Sequence, residues 1–152
     1  MVGQITAAVD ARHSAETLVI ARTDAIAVEG FAAAIDRAGR YAEAGADALF
    51  VEAPGSREQL AAIAEALGGR LPLMANMVEG GRTPMMAAAE LEALGFALVI
   101  LPGGVVRAVA RAAEDFYATL LRDGGTDAFR NRMFDFDTLN AVIGTPEILA
   151  LG

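Results

Sequence analysis

Cysteine, lysine and tryptophan are absent from this 152-residue chain, and histidine occurs once, as His13. Without cysteine there are no disulfides, thiolate metal sites or cysteine nucleophiles, as expected of a protein kept in a reducing cytoplasm. All twelve basic residues are arginines. A Schiff-base mechanism and a lysine general base are therefore both excluded for the residues present. The formal charge of −8 argues against a nucleic-acid surface, which needs a clustered basic patch. No apolar run approaches the roughly 18 residues of a membrane span. Met1-Val2-Gly3-Gln4 lacks the basic region and apolar block of a signal peptide, so a cytoplasmic location is expected.

What remains is rich in alanine and short aliphatic runs. The chain is 55% hydrophobic, which excludes general disorder, and its length suits one domain. Leu18-Val19-Ile20-Ala21 runs abruptly into Arg22-Thr23-Asp24. The pattern returns at Ala48 to Val51 before Glu52, at Leu71 to Ala75 before Asn76, and at Ala97 to Leu101 before Pro102-Gly103-Gly104. Such runs read as parallel strands, near residues 18–23, 48–52, 72–76 and 97–101, in βα units. Continuous apolar runs are the pattern of strands covered on both faces. Polar groups at strand C-termini are where parallel α/β folds gather their chemistry.

The intervening segments predict helices at 2–12, from Glu29-Gly30 to about 44, at 57–67, from Thr83-Pro84 to Leu94, and from 105 to about 122. Gly45 is expected as a C′ glycine, and Ser56 with Gln59 as a capping box. Domain organisation is read as one unit, with βα units to about 125 and a helical tail over 126–152. Phe129, Met133, Phe134, Phe136 and Leu139 give that tail enough apolar surface to cover its own sheet or a neighbouring subunit. Four βα units suit either a small open doubly wound sheet or part of a (β/α)8 barrel, which typically needs about 250 residues.

Individual residues carry two readings each. Arg22 is a bidentate clamp for a carboxylate or phosphonate, or half of a structural ion pair with a nearby acid. Glu52 either handles protons or reaches a metal through water at the mouth of the sheet, or caps a turn. Asn76 donates to a substrate oxygen or closes a turn. Pro102-Gly103-Gly104 offers backbone N–H groups to an anion, or is turn chemistry. Asp135-Phe136-Asp137 has the spacing of a metal pair, but Asp137 is expected to N-cap the following helix. His13, at a helix end, is expected to meet terminal carbonyls or solvent.

Four motifs then occur in order: Ile20-Ala21-Arg22-Thr23-Asp24-Ala25, Gly45-Ala46-Asp47-Ala48-Leu49-Phe50-Val51-Glu52-Ala53, Ala75-Asn76-Met77-Val78-Glu79-Gly80-Gly81-Arg82-Thr83-Pro84, and Leu101-Pro102. Together they resemble the isocitrate lyase/phosphoenolpyruvate mutase superfamily, in its shorter 2-methylisocitrate lyase, carboxyphosphonoenolpyruvate mutase and oxaloacetate decarboxylase forms. The resemblance implies the C-terminal half of a (β/α)8 barrel with extra C-terminal helices exchanged between subunits of a dimer or tetramer. It implies Mg2+ whose ligands lie upstream of this chain, and C–C lyase or P–C mutase chemistry on small 2-oxo or 2-hydroxy carboxylates through an enolate. Arg22 then matches the arginine that binds the substrate carboxylate or phosphonyl group. Glu52 matches the acid near the reacting centre and the metal waters, Asn76 a substrate contact, and Ile100 an apolar wall. The alternative expectation is a non-catalytic fragment or assembly module that keeps the oligomer contacts.

Overall fold

The computed structural model describes residues 1–151. The chain divides into two compact units, residues 1–104 and the residues from 105 onward. The first unit opens with α1 (Val2–Ala11) and continues through β1 (Ile20–Thr23), α2 (Ala25–Glu29), α3 (Phe31–Glu43) and β2 (Ala48–Val51). After these come α4 (Arg57–Leu67), β3 (Leu73–Asn76), α5 (Ala88–Leu94) and β4 (Leu98–Ile100). The four strands form one parallel sheet in the order β1-β2-β3-β4, as the alternation of apolar runs and helices predicts. All four C-termini therefore lie along one edge.

Register sorts the side chains. Ala21, Thr23, Leu49, Val51, Leu73 and Ala75 share one face, and all are buried. Helices α3, α4 and α5 supply the apolar stripe that covers them, through Ala34, Ala38 and Tyr41, Leu60, Ile63 and Leu67, and Leu91. The other face carries Ile20, Arg22, Phe50, Met74, Asn76, Leu98 and Ile100. On this face Ile20 is 42% and Leu98 44% exposed. The runs read as strands covered on both faces; in this chain the second face is covered at Phe50, 5% exposed, but open at Ile20 and Leu98. An apolar run looks the same whether its second cover lies in the same polypeptide or elsewhere.

Asp47 ties the first three elements together. Its Oδ2 accepts from the Val19 N–H and from Arg12, each at 2.8 Å, joining the end of α1 to the entries of β1 and β2. The Val19 N–H, then Arg12, hold its carboxyl below the ordinary carboxylate range. A group depressed in the folded state stabilises above its unfolded pKa of about 3.9 and loses that contribution as pH falls through the folded value. Asp47→Ala should therefore melt lower than the parent at pH 7, and the gap should close in acid. Paired thermal melts at pH 7 and pH 3 check this.

Local signals account for most helix ends. Gly45 at φ +95 takes the left-handed position after α3, its N–H donating to Ala42 O and that of Ala46 to Tyr41 O, the two bonds of a Schellman end. Three expectations are corrected. The helix expected to start at Glu29-Gly30 is two helices, because Gly30 at φ +91 and ψ 174 interrupts it in a region that only glycine enters easily. Thr83-Pro84 starts no helix; α5 begins at Ala88, where the Glu90 carboxylate accepts the Ala87 N–H at 2.8 Å. Ser56 caps α4 through the Gln59 N–H at 3.2 Å, but Gln59 Oε1 takes the Gly55 N–H, one residue before the box position.

The second unit holds α6 (Gly104–Asp123), a 3₁₀ turn (Asp127–Arg132), α7 (Phe136–Val142) and α8 (Thr145–Leu149). Its small core centres on Phe129, edge-on to Phe116 at 5.5 Å. Arg132 lies over the Phe129 ring at 4.3 Å and bonds Asp115 at 2.8 Å. The cap of α7 is Asp135, which accepts from the Thr138 N–H at 2.7 Å; Asp137 lies inside the helix. Asp135 can turn its carboxylate onto that N–H from outside the helix, which corrects the expectation for Asp137. Phe134, Phe136, Ile143, Ile148, Leu149 and Leu151 are exposed. Among the described residues no helix is long and apolar enough to cross a membrane.

Candidate functional site

Arg22 and Asn76 lie on the open face of β1 and β3, and Glu52 follows β2 directly. The Glu52 N–H donates to Thr23 O at 2.9 Å, which carries the sheet ladder one residue past β2. Ala53 then turns the chain at φ 58, a left-handed conformation that costs a non-glycine residue free energy and recurs at functional sites. The result is a convergent set at the strand ends. Arg22 Nη2 is 3.6 Å from Glu52 Oε2, and Asn76 Nδ2 donates to the same oxygen at 3.4 Å. Ile100 is the register partner of Asn76. The polar residues that close three separate apolar runs thus meet at one carboxylate.

Of the two readings of Arg22, the ion pair has its counterpart in the structure. Nε and Nη2 donate to the two Asp24 oxygens at 3.0 and 2.7 Å, so the ion pair exists. Those bonds, with the charge of Glu52, raise the arginine's pKa, and Arg22 in turn lowers that of Asp24. Nη1 takes no part in this pair and keeps its donors. Beneath the guanidinium lies the Phe50 ring, 4.9 Å from centroid to Cζ. Such a stack favours a flat guanidinium orientation. Sequence reasoning missed Phe50 because it sits inside an apolar run; its register with Arg22 was the available signal.

Beside Glu52 opens a cavity of about 260 Å³ lined by Glu52, Ala53, Asn76, Val78, Gly81, Arg82 and Thr83. Among the described residues Asn76 Oδ1 is buried with no hydrogen-bond partner, and a buried acceptor left so is costly. Arg82 is exposed and forms no ion pair among the described residues. It too went unnoticed in the sequence, lying in a glycine-rich loop. A second cavity of about 260 Å³ is lined by Arg22, Asp24, Glu29, Arg37 and Tyr41 among others.

Other candidates resolve differently. A Cβ at Gly104 would meet Glu79 Oε1 at 3.0 Å, so an acid of the chain already stands beside the Pro102-Gly103-Gly104 turn. His13 is exposed just beyond the end of α1. For a metal the residues present do not suffice. No group of three His, Asp or Glu able to hold an ion occurs among the described residues. Glu52 Oε2 already faces Arg22 and Asn76, and Asp24 is held by Arg22.

Residues 1–121 match the family described as phosphoenolpyruvate phosphomutase. The chain is 40% identical to the 2,3-dimethylmalate lyase of Eubacterium barkeri over 148 residues, 97% of this chain and 50% of the relative. It is 41% identical to the 2-methylisocitrate lyase of Vibrio cholerae over 137 residues, covering 88% of this chain and 44% of that protein. Among solved structures, the trigonal crystal form of 2,3-dimethylmalate lyase, a PEP mutase/isocitrate lyase superfamily member, superposes with a TM-score of 0.88 at 34% identity. That match covers 99% of this chain and 50% of the other. Phosphonopyruvate hydrolase in complex with oxalate and Mg2+ gives 0.83 at 29% identity, over 99% and 53%. The chain thus spans about half the length of the relatives it matches.

Proposed function

We propose, since this chain belongs to the phosphoenolpyruvate mutase/isocitrate lyase superfamily, that it is the C-terminal half of a (β/α)8 barrel acting on small 2-oxo or 2-hydroxy carboxylates. The chemistry is C–C cleavage or P–C rearrangement through an enolate, in a cytoplasmic enzyme. The carrying observation is the convergence of Arg22, Glu52 and Asn76 at the C-terminal ends of adjacent parallel strands. Arg22 neutralises and orients a substrate carboxylate with the donors left free by Asp24. Glu52, held between a cation and an amide, stays next to the reacting carbon, where it can take or return a proton. Asn76 offers its unpartnered oxygen to a substrate hydroxyl, and Ile100 walls the site. Mg2+, which stabilises an enolate when bound, would take its ligands from residues outside this chain, because the described residues form no site for it.

The half-barrel reading also accounts for the exposed Ile20 and Leu98, which a second set of βα units would cover. A second reading, an assembly module without turnover, is favoured by the exposed aromatic and aliphatic residues of α7 and α8. The two are separated by incubating the purified chain with Mg2+ and 2,3-dimethylmalate, 2-methylisocitrate, oxaloacetate or phosphonopyruvate, and by titrating it with oxalate. Turnover or saturable oxalate binding supports the enzyme half; neither, with stable self-association, supports the module. Both readings place the tail from Phe129 to Leu151 against a second subunit. Light scattering at micromolar concentration should therefore give at least a dimer, and a monomer would contradict that placement.

A further inference from the structure

Asp24 stands at the N-cap of α2, where an aspartate ordinarily accepts a backbone N–H of the first turn. Here it makes no such bond. The neighbouring Thr23 Oγ1 accepts the Ala25 N–H instead, at 3.2 Å, and the Asp24 carboxylate is turned onto Arg22. Both its oxygens are engaged there, at 3.0 Å from Nε and 2.7 Å from Nη2. An arginine has two edges that can fork a carboxylate, Nε with Nη2 and Nη1 with Nη2. Asp24 fills the first, the Phe50 ring supports the plane, and Glu52 lies 3.6 Å from Nη2. A long side chain with many rotamers is thereby limited to one presentation.

We propose that Asp24 is a positioning residue, which holds Arg22 by its Nε edge and so presents the Nη1/Nη2 edge to the ligand's carboxylate. The inference rests on the reading of Arg22 as a carboxylate-binding residue. It has a consequence opposite in sign to that of a bystander. A carboxylate near the binding point of an anion repels it, in a chain whose net charge is already −8. If Asp24 merely sat there, removing it would tighten anion binding. If it positions the guanidinium, removing it weakens binding despite the relieved repulsion.

The test is calorimetric titration of oxalate into the full chain and into Asp24→Ala, Asp24→Asn, Asp24→Glu and Arg22→Gln, with thermal melts of each. Asp24→Ala should weaken oxalate binding about tenfold, the scale of one well-placed charge-assisted hydrogen bond. Asp24→Glu, which keeps the charge and the acceptors, should recover part of that loss. Asp24→Asn, which keeps one acceptor, should fall between. Melting temperatures should change little, because the pair is exposed. Unchanged or tighter binding by Asp24→Ala, with weaker binding by Arg22→Gln, would overturn the proposal and leave the reading of Arg22 intact. Should Arg22→Gln bind as the parent does, or the parent bind no oxalate, the reading of Arg22 itself is lost and the inference with it.

Discussion

Arg22→Ala should lower kcat/KM by about 10²-fold or more in an assembly that turns over substrate, while folding of the chain is nearly unchanged. Removing one partner of a desolvated, hydrogen-bonded charge pair typically costs about 2–5 kcal/mol, and about 1.4 kcal/mol corresponds to tenfold. The pair that Arg22 makes with Asp24 in the free chain is different in kind. Its side chains are 49% and 60% exposed, and exposed ion pairs contribute about 0–1 kcal/mol. Losing that pair barely moves Tm; losing the ligand contact moves turnover strongly. Arg22→Lys keeps the charge but loses the fork and cannot hold both Asp24 and a substrate carboxylate. It should resemble the alanine variant in kcat/KM. Near-normal kcat/KM for Arg22→Ala with a clear drop in Tm would move this arginine from the binding site to the scaffold.

Leu49→Ala should show the reverse signature. Leu49 is fully buried at the centre of the covered face, between Ala21 and Leu73 in register. Removing its branched end forfeits the transfer free energy of three carbons and leaves a cavity among side chains fixed by the sheet. Such truncations cost about 2–5 kcal/mol. In a unit of this size each kcal/mol lowers Tm by about 4–8 °C. The expected result is a fall in Tm of about 10 °C or more, with oxalate affinity per folded molecule retained at a temperature where the variant is folded.

Much of this was legible in the residues, for identifiable reasons. Four apolar runs, each closed by a polar residue or a glycine turn, specify parallel strands because no alternation permits a one-sided antiparallel arrangement. Gly45 ends its helix as a glycine after a periodic run does. The convergence of Arg22, Glu52 and Asn76 could be read from their common position at strand ends. Other features could not be read this way. Gly30 resembles a helix start until its φ is known. Asp135 and Asp137 are chemically equivalent in sequence, and only the path of the chain decides which one caps. The engagement of both Asp24 oxygens on Arg22, and the stacking of Phe50 beneath it, depend on register between β1 and β2. That the second sheet face is open could not be read either, since composition does not reveal where a cover comes from.

Arg22, Glu52 and Asn76, as proposed, form a single site for a small carboxylate. An oxalate titration of the isotopically labelled chain, followed through the Arg22 Nε–H and Asn76 side-chain amide resonances, tests it most directly. Both resonances should move and saturate together with one dissociation constant, and Arg22→Gln should abolish the response at Asn76. Saturation without movement of either resonance, or movement of the two with different dissociation constants, would contradict a shared site.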